Sequence, residues 1–173
     1  MSYHLLETAT LSSASSYTYS NFNETSSSTV GPYWAWEIRL QDLRRSSSSD
    51  YYPQLQANAS LNIPYVTALN SFTEVSPTTN NRSGSSWIQL TERACSWQGP
   101  WNGKLLIEQP KRNGTTWYCN FIFDFTSWVF STYKHQRSVT TGVFTSYTSI
   151  DQITLRPSNG VWNGSVAVYG IVS

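Results

Sequence analysis

Two histidines, His4 and His135, are the side chains best suited to act as a general base near neutral pH. Either could join a serine and a carboxylate in a Ser-His-Asp site, because such triads assemble in space from distant positions. The Gly-x-Ser-x-Gly turn that exposes a nucleophilic serine does not occur in the sequence. His135 lies in the polar run Tyr-Lys-His-Gln-Arg at the end of a predicted strand, so we expect a solvated surface residue.

The carboxylates offer metal binding and glycoside hydrolysis as further chemistry. Metal sites use clustered Asp, Glu, His or Cys, whereas no two carboxylates here lie within three residues of each other. A glycosidase needs two carboxylates on either side of a sugar ring, and Glu37 and Glu108 each fall on a predicted strand. The alternative is that both are outward-facing strand charges, and we expect no catalytic or metal site. The carboxylates are Glu7, Glu24, Glu37, Asp42, Asp50, Glu74, Glu92, Glu108, Asp124 and Asp151.

Aromatic side chains could stack on sugar rings, since they make up 15% of the chain. The segment Cys95-Ser-Trp-Gln-Gly-Pro-Trp-Asn-Gly103 places Trp97 and Trp101 near a predicted turn. These two side chains form either a ligand platform or anchors in the core or at a subunit interface, where Trp and Tyr are enriched. We expect the anchoring role.

Two cysteines, Cys95 and Cys119, are too few for a disulfide framework. Cys119 alternates with Trp117 and Phe121, which predicts a small buried hydrophobic side chain. A single bridge between Cys95 and Cys119 remains an alternative if their strands are neighbours.

Charge and hydropathy bound the classes of partner. The formal net charge is +1, only 12% of residues are charged, and the adjacent basic pairs are Arg44-Arg45 and Lys111-Arg112. Nucleic-acid binding needs a basic stripe, so we expect no nucleic-acid partner. No Gly-rich phosphate loop occurs, so no cofactor is expected. No run approaches the ~20 apolar residues of a membrane span, and no signal peptide is recognisable. We therefore expect synthesis in the cytosol without membrane insertion.

Apolar and polar residues alternate with a period of two along most of the chain, which predicts β-strands. In Tyr33–Leu40 the even positions are apolar and the odd ones include Glu37 and Arg39, as in a strand with one wet face. In Trp117–Phe125 every odd position is Trp, Cys or Phe. The other predicted strands are Leu5–Ser12, Tyr51–Gln56, Asn62–Ala68, Ser86–Thr91, Lys104–Glu108, Trp128–Tyr133, Gly142–Ser146, Ile150–Leu155 and Ser165–Val172.

Turn residues separate these strands. Asn-Gly pairs suit turns because both residues tolerate positive φ, and Asn113-Gly114 between two strands predicts a hairpin. The predicted turns are Gly31-Pro32, Asn102-Gly103, Asn113-Gly114, Asn159-Gly160 and Asn163-Gly164.

About ten short strands with regular turns predict one domain over residues 1–173, an all-β, antiparallel β-sandwich that is jelly-roll-like. Three segments rich in Ser, Thr and Asn are predicted to be surface loops, with mobility expected near 12–29 and 76–86. These segments are Ser12–Thr29, Ser46–Asp50 and Ser76–Ser86.

The C-terminal segment carries a resemblance to a known family. It reads Ile153-Thr-Leu-Arg-Pro-Ser-Asn-Gly160, then Val-Trp-Asn-Gly-Ser-Val-Ala-Val-Tyr-Gly-Ile171. An apolar strand, a Ser/Asn/Gly turn, an aromatic residue, Gly-Ser and a final Val-Tyr-Gly-Ile resemble the closing hairpin of jelly-roll virion proteins of tailed bacteriophages. Gly170 after Tyr169 also predicts a bend or a close backbone approach. Weaker similarity in the same order extends over Tyr33–Leu43, Ser46–Tyr52, Gly103–Glu108 and Thr116–Phe121.

The resemblance implies a non-catalytic structural protein without shared catalytic residues. We expect a capsid decoration (cement) protein, a homotrimer that docks on the major capsid protein at the head surface after synthesis in the bacterial cytoplasm. The alternative is a tail-fibre or baseplate module that recognises a host surface saccharide. A polysaccharide-cleaving enzyme is a third hypothesis, which we do not expect.

Overall fold

The computed structural model describes residues 1–20, 22, 33–46, 51–57, 65–73, 77–83, 87–90, 95, 99–129, 134–146 and 150–172. All regular secondary structure in this described part consists of β-strands. The strands are β1 (Ser2–Ala14), β2 (Tyr17–Tyr19), β3 (Ala35–Arg45), β4 (Pro53–Ala57), β5 (Tyr65–Thr73), β6 (Pro77–Ser83), β7 (Ile88–Gln89), β8 (Trp101–Glu108), β9 (Lys111–Asn113), β10 (Thr116–Val129), β11 (Lys134–Ser146), β12 (Ile153–Pro157) and β13 (Trp162–Val172).

The strands form two antiparallel sheets that pack as a jelly-roll-like sandwich, which confirms the predicted fold class. The larger sheet has nine strands in the order β1-β13-β3-β8-β10-β11-β5-β6, with β9 paired to β10. The smaller sheet has the order β2-β12-β4-β7. None of the described residues belongs to a helix long and apolar enough to cross a membrane.

The core lies between the two sheets and is built by the alternation seen in the sequence. The odd positions of β10, Phe121, Phe123 and Phe125, are buried, as are Trp36 and Ile38 on β3. Burying each such side chain stabilises the fold by roughly 1.5–3 kcal/mol. The small sheet covers them with Leu55, Ile153 and Leu155, all inaccessible to solvent or nearly so.

The predicted hairpin at the C-terminus is wrong in its pairing. Gly160 has a φ of 73°, and the chain bends over residues 158–160 between β12 and β13. However, β12 pairs with β2 and β4, whereas β13 pairs with β1 and β3. The two strands lie in opposite layers because each presents an apolar face to the core from its own side.

Two predicted turns lie inside strands. Gly103 is within β8, where a Cβ atom would stand 2.7 Å from Cβ of Phe125, so glycine serves a close strand approach. Gly164, with a φ of 146°, sits at a β-bulge in β13 where the register with β3 shifts. By contrast, Gly114 has a φ of 60° and connects β9 to β10, as a hairpin turn should. Gly31-Pro32 lies outside the described residues.

Two strands occupy segments predicted to be loops. β2 falls within Ser12–Thr29 because Tyr17 and Tyr19 are buried on either side of Thr18. β6 falls within Ser76–Ser86 and pairs with β5 through its backbone. Polar composition hid both strands, since pairing needs backbone groups and not apolar side chains. Residues 47–50 of the predicted loop Ser46–Asp50 lie outside the described part, as do residues 130–133 of the predicted strand Trp128–Tyr133.

Candidate functional site

The outer face of the nine-stranded sheet carries the side chains that alternate with the core positions. Its centre is formed by β3, β8 and β10, in which Arg39 lies opposite Lys104 and Lys104 lies opposite Asp124. One step along, Asn102 lies opposite Thr126. Because alternate residues of a strand point to opposite faces, these polar side chains share one surface.

These residues line an open cavity of about 610 Å³, which we call the polar cleft. Ligand sites in proteins commonly have volumes of about 300–1,000 Å³. The side chains that distinguish the cleft are three cations, one carboxylate and three neutral hydrogen-bonding groups: Arg39, Lys104, Arg137, Asp124, Gln41, Asn102 and Thr126.

Arg39 is held in position from two sides. Its Nε donates to Oε1 of Glu37 at 2.5 Å, and its guanidinium lies 4.3 Å from the centre of the Tyr169 ring. The hydrogen bond to Glu37 raises the pKa of Arg39 further above its ordinary value. Glu37 itself is only 6% exposed, so the ion pair satisfies a carboxylate that would otherwise be buried alone.

Arg137 is held by a two-point contact with Asp124. Its Nε donates to Oδ1 at 3.0 Å and its Nη2 donates to Oδ2 at 2.8 Å. This parallel geometry is the strong form of an arginine–carboxylate pair. The hydrogen bond from Arg137 lowers the pKa of Asp124 below its ordinary value, and the nearby charge of Lys104 lowers it further.

Lys104 differs from the two arginines of the cleft because it is in none of the ion pairs named here. It lies between Arg39 and Asp124 in register. The ion pairs Arg39–Glu37, Arg44–Asp42 and Arg137–Asp124 do not include Lys104.

Beside the polar cleft, the outer face becomes apolar. Leu106, Ile122 and Val143 line a second open cavity of about 450 Å³. At its border Asn120 donates through Nδ2 to Oε2 of Glu108 at 2.9 Å. The outer face is therefore divided into a charged half and an apolar half.

The edge of the same sheet is also apolar. Among the described strands, β1 pairs with β13 alone, so its other edge has no neighbour there. Tyr3, Leu5 and Leu6 are 46%, 57% and 37% exposed. A bulge between Leu5 and Glu7 interrupts the register with β13. We call Tyr3, Leu5 and Leu6 the β1 edge patch.

The two carboxylates considered for hydrolysis lie on neighbouring strands of the outer face. Glu37 lies opposite Leu106, and Glu108 lies opposite Ala35. Each already accepts a hydrogen bond, Glu37 from Arg39 and Glu108 from Asn120. Glu37 is less exposed than a solvated strand charge would be, because its ion pair lets it stay buried.

The two histidines are not brought together. His4 is exposed on β1, with Nδ1 3.4 Å from the Tyr33 hydroxyl. His135 lies on β11, opposite Trp128, and four strands of the sheet separate it from β1. At about 4.8 Å per strand step, their backbones are roughly 24 Å apart.

Trp101 is a core anchor, as expected, and offers no face to a ligand. It is fully buried, and its ring lies edge-on 5.9 Å from Phe125 and 5.4 Å from Trp162. Trp97 lies outside the described residues. Since an accessible ring face is what sugar stacking requires, the ligand-platform alternative is wrong for Trp101.

Cys95 and Cys119 are both buried and are not joined by a disulfide, so the alternative of a bridge between them is wrong. Cys119 fills a core position, and its Sγ donates to the backbone carbonyl of Glu108 at 3.3 Å. Burial raises the pKa of the Cys119 thiol well above its ordinary value, which disfavours the reactive thiolate.

The polar cleft was not foreseen from the sequence. The alternation in β3 and β10 does place Arg39 and Asp124 on outward positions. Their meeting with Lys104 and Arg137 depends on the registers of four strands from distant parts of the chain. The alternation of side chains indicates which residues face outward. It does not indicate which residues of distant strands lie opposite each other, and this register was needed to predict the cleft.

Neither a metal cluster nor a known relative accounts for these features. Within the described residues, no three His, Cys, Asp or Glu side chains are grouped so that they could hold a metal ion. A scan against protein-family models, a search of curated proteins and a search of solved structures each gave no match. The features that bear on function are the β1 edge patch, the polar cleft and the apolar cavity beside it.

Proposed function

We propose that this chain is a non-catalytic structural protein of a bacteriophage virion, a decoration (cement) protein that associates as a trimer and docks on the head shell. The observation that carries the proposal is the β1 edge patch. Tyr3, Leu5 and Leu6 are exposed on a 13-residue strand whose outer edge pairs with no other described strand and can pair with another chain.

An exposed apolar strand edge favours association for two physical reasons. Its unpaired N–H and C=O groups can continue a sheet into a neighbouring chain, and its apolar side chains leave water when it does so. If the same edge meets a different surface of the next copy, the contact is head-to-tail and closes into a ring when the rotation allows. A trimer is the ring that the family resemblance implies.

The sandwich also suits a protein that reinforces a shell. Its core packs aromatic rings from both sheets, such as Tyr51 from the region of the small sheet and Trp162 from β13, with ring centres 6.5 Å apart. The chain has few charged residues, so little charge must be desolvated when its surfaces are buried.

A second proposal is a tail-fibre or baseplate module that binds a host surface saccharide. The polar cleft is the observation that favours it, because the cleft is open, lined by hydrogen-bonding groups and large enough for a small ligand.

Quantitative mass spectrometry of purified particles tests both proposals. We expect the chain in intact virions at a copy number comparable with that of the major capsid protein. A copy number of a few per particle would instead support the tail location. Absence of the chain from purified virions would contradict both.

A further inference from the structure

The polar cleft has the composition of a recognition site for a negatively charged, hydroxyl-rich ligand. We infer that it binds an acidic saccharide, whose carboxylate pairs with Lys104 and whose hydroxyls bind the neutral side chains around it. The inference does not depend on where the chain lies in a particle, since a head-surface protein and a tail tip could each carry such a site.

The charges of the cleft favour an anion. Three cations, Arg39, Lys104 and Arg137, face two carboxylates, Glu37 and Asp124, which leaves one positive charge. Both carboxylates are already engaged by the arginines. Lys104 is in none of these ion pairs, and Asp124 opposite it is already bound by Arg137, so a ligand carboxylate would give the compact ammonium group a direct partner.

The two arginines are fixed before any ligand arrives. Glu37 and the Tyr169 ring hold the guanidinium of Arg39, and Asp124 holds that of Arg137 at two points. Donors that are already ordered lose little conformational entropy on binding. Each guanidinium has five N–H donors, so hydrogen-bonding capacity remains after the contacts with Glu37 and Asp124.

Neutral hydrogen-bonding groups border the cations. Asn102 and Thr126 lie opposite each other on β8 and β10, and Gln41 on β3 lines the same cleft. The backbone N–H of Asp42 donates to Oδ1 of Asn102 at 2.8 Å. This bond orients the amide so that Nδ2 remains a donor, which suits the hydroxyl oxygens of a sugar ring.

The same composition argues against a protein partner at this cleft. The buried centres of protein interfaces are depleted in lysine and aspartate, although arginine is enriched there. Here a lysine, an aspartate and two arginines share one open surface, with side chains of Arg39 and Arg137 that are 43% and 61% exposed. A wet site that pairs charges and hydroxyls directly is better matched to a saccharide.

The test is a calorimetric titration of the purified chain with oligogalacturonate, which has a carboxylate on each ring. Neutral oligogalactose is the matched probe for the sugar alone, and poly-glutamate is the matched probe for the charge alone. We expect oligogalacturonate to bind, and both other probes to bind at least tenfold more weakly. Lys104→Gln should weaken binding by about tenfold or more, since one charge-assisted contact is lost.

Two variants separate the site from general electrostatics and from misfolding. Lys111→Gln makes the same change of charge at an exposed position on β9 and should leave binding unchanged. Thr126→Val removes a hydroxyl without changing charge and should weaken oligogalacturonate binding severalfold. Thermal unfolding of each variant checks that it is folded.

Three results would overturn the inference: no binding of oligogalacturonate at millimolar concentration, equal binding of poly-glutamate, or an equal loss in Lys104→Gln and Lys111→Gln. None of them bears on particle copy number, so failure here is distinguishable from failure of the proposed function.

Discussion

Gly170 lies directly against the ring of Tyr33: a Cβ atom at position 170 would stand 2.5 Å from Cδ1 of that ring. The sequence predicted a bend or a close backbone approach at Gly170, and the group that approaches the Gly170 backbone is this side-chain ring. Tyr33 in turn meets Trp36 and His4 edge-on, with ring centres 6.4 Å and 5.7 Å away. The absent side chain of Gly170 therefore lets an aromatic ring close over the end of β13.

Gly170→Ala should lower the free energy of unfolding by about 1–3 kcal/mol, because the added methyl group must displace the Tyr33 ring from a packed position. Chemical denaturation measures the change. Gly114→Asn is the matched control, since Gly114 has open space around it and Asn tolerates its positive φ. Equal losses in the two variants would show that the contact with Tyr33 is not responsible.

Trp101→Ala should cost about 3–5 kcal/mol of stability, because it empties a fully buried site between Phe125 and Trp162. Tyr118→Ala, at a ring that is 39% exposed on the outer face, should cost under about 1 kcal/mol. Denaturant unfolding of both variants measures the two losses of stability. A small effect at Trp101 would mean that this side chain is not a core anchor.

The Asp124–Arg137 pair should make stability depend on pH in the acid range. The pKa of Asp124 is lowered in the folded state from an ordinary value of 3.8. The pair therefore stabilises fully above that ordinary value, and its contribution is lost as pH falls through the lowered pKa. The difference in unfolding midpoint between the parent chain and Asp124→Asn should stay constant from pH 6 to about pH 4 and should shrink as the pH falls from there to pH 2. A difference that stays constant down to pH 2 would contradict this sign.

The β1 edge patch should control association. The purified chain should be trimeric by size-exclusion chromatography with light scattering, and Leu5→Lys should weaken that association at least tenfold by placing a strongly hydrated charge at the interface. Ile122→Lys makes the same change at another exposed apolar position, away from β1, and should leave the trimer intact. Equal association of the two variants would show that the trimer does not form through the β1 edge.

The fold class followed from local patterns in the sequence. The run of Trp, Cys and Phe at odd positions of Trp117–Phe125 predicted one buried face, and Cys119, Phe121, Phe123 and Phe125 are indeed in the core. Such alternation needs no knowledge of the rest of the chain, because side-chain direction in a strand has a period of two.

Pairing between distant strands could not be obtained in this way. Ile153 and Val166 are both apolar strand positions near one turn, yet they belong to different sheets. Likewise, the cleft joins Arg39 to Arg137 across strands almost a hundred residues apart. Registers of this kind are set by long-range packing, and a shift of one residue would invert every face.

Cryo-electron microscopy of intact particles is the sharpest test of the proposed decoration role. We expect density for the two-sheet sandwich on the head surface, with three copies related by a threefold axis and the β1 edge of each copy, at Tyr3 and Leu5, buried against a neighbour. Heads that lack this density, or copies whose β1 edges face solvent, would show that the chain does not decorate the head as a trimer.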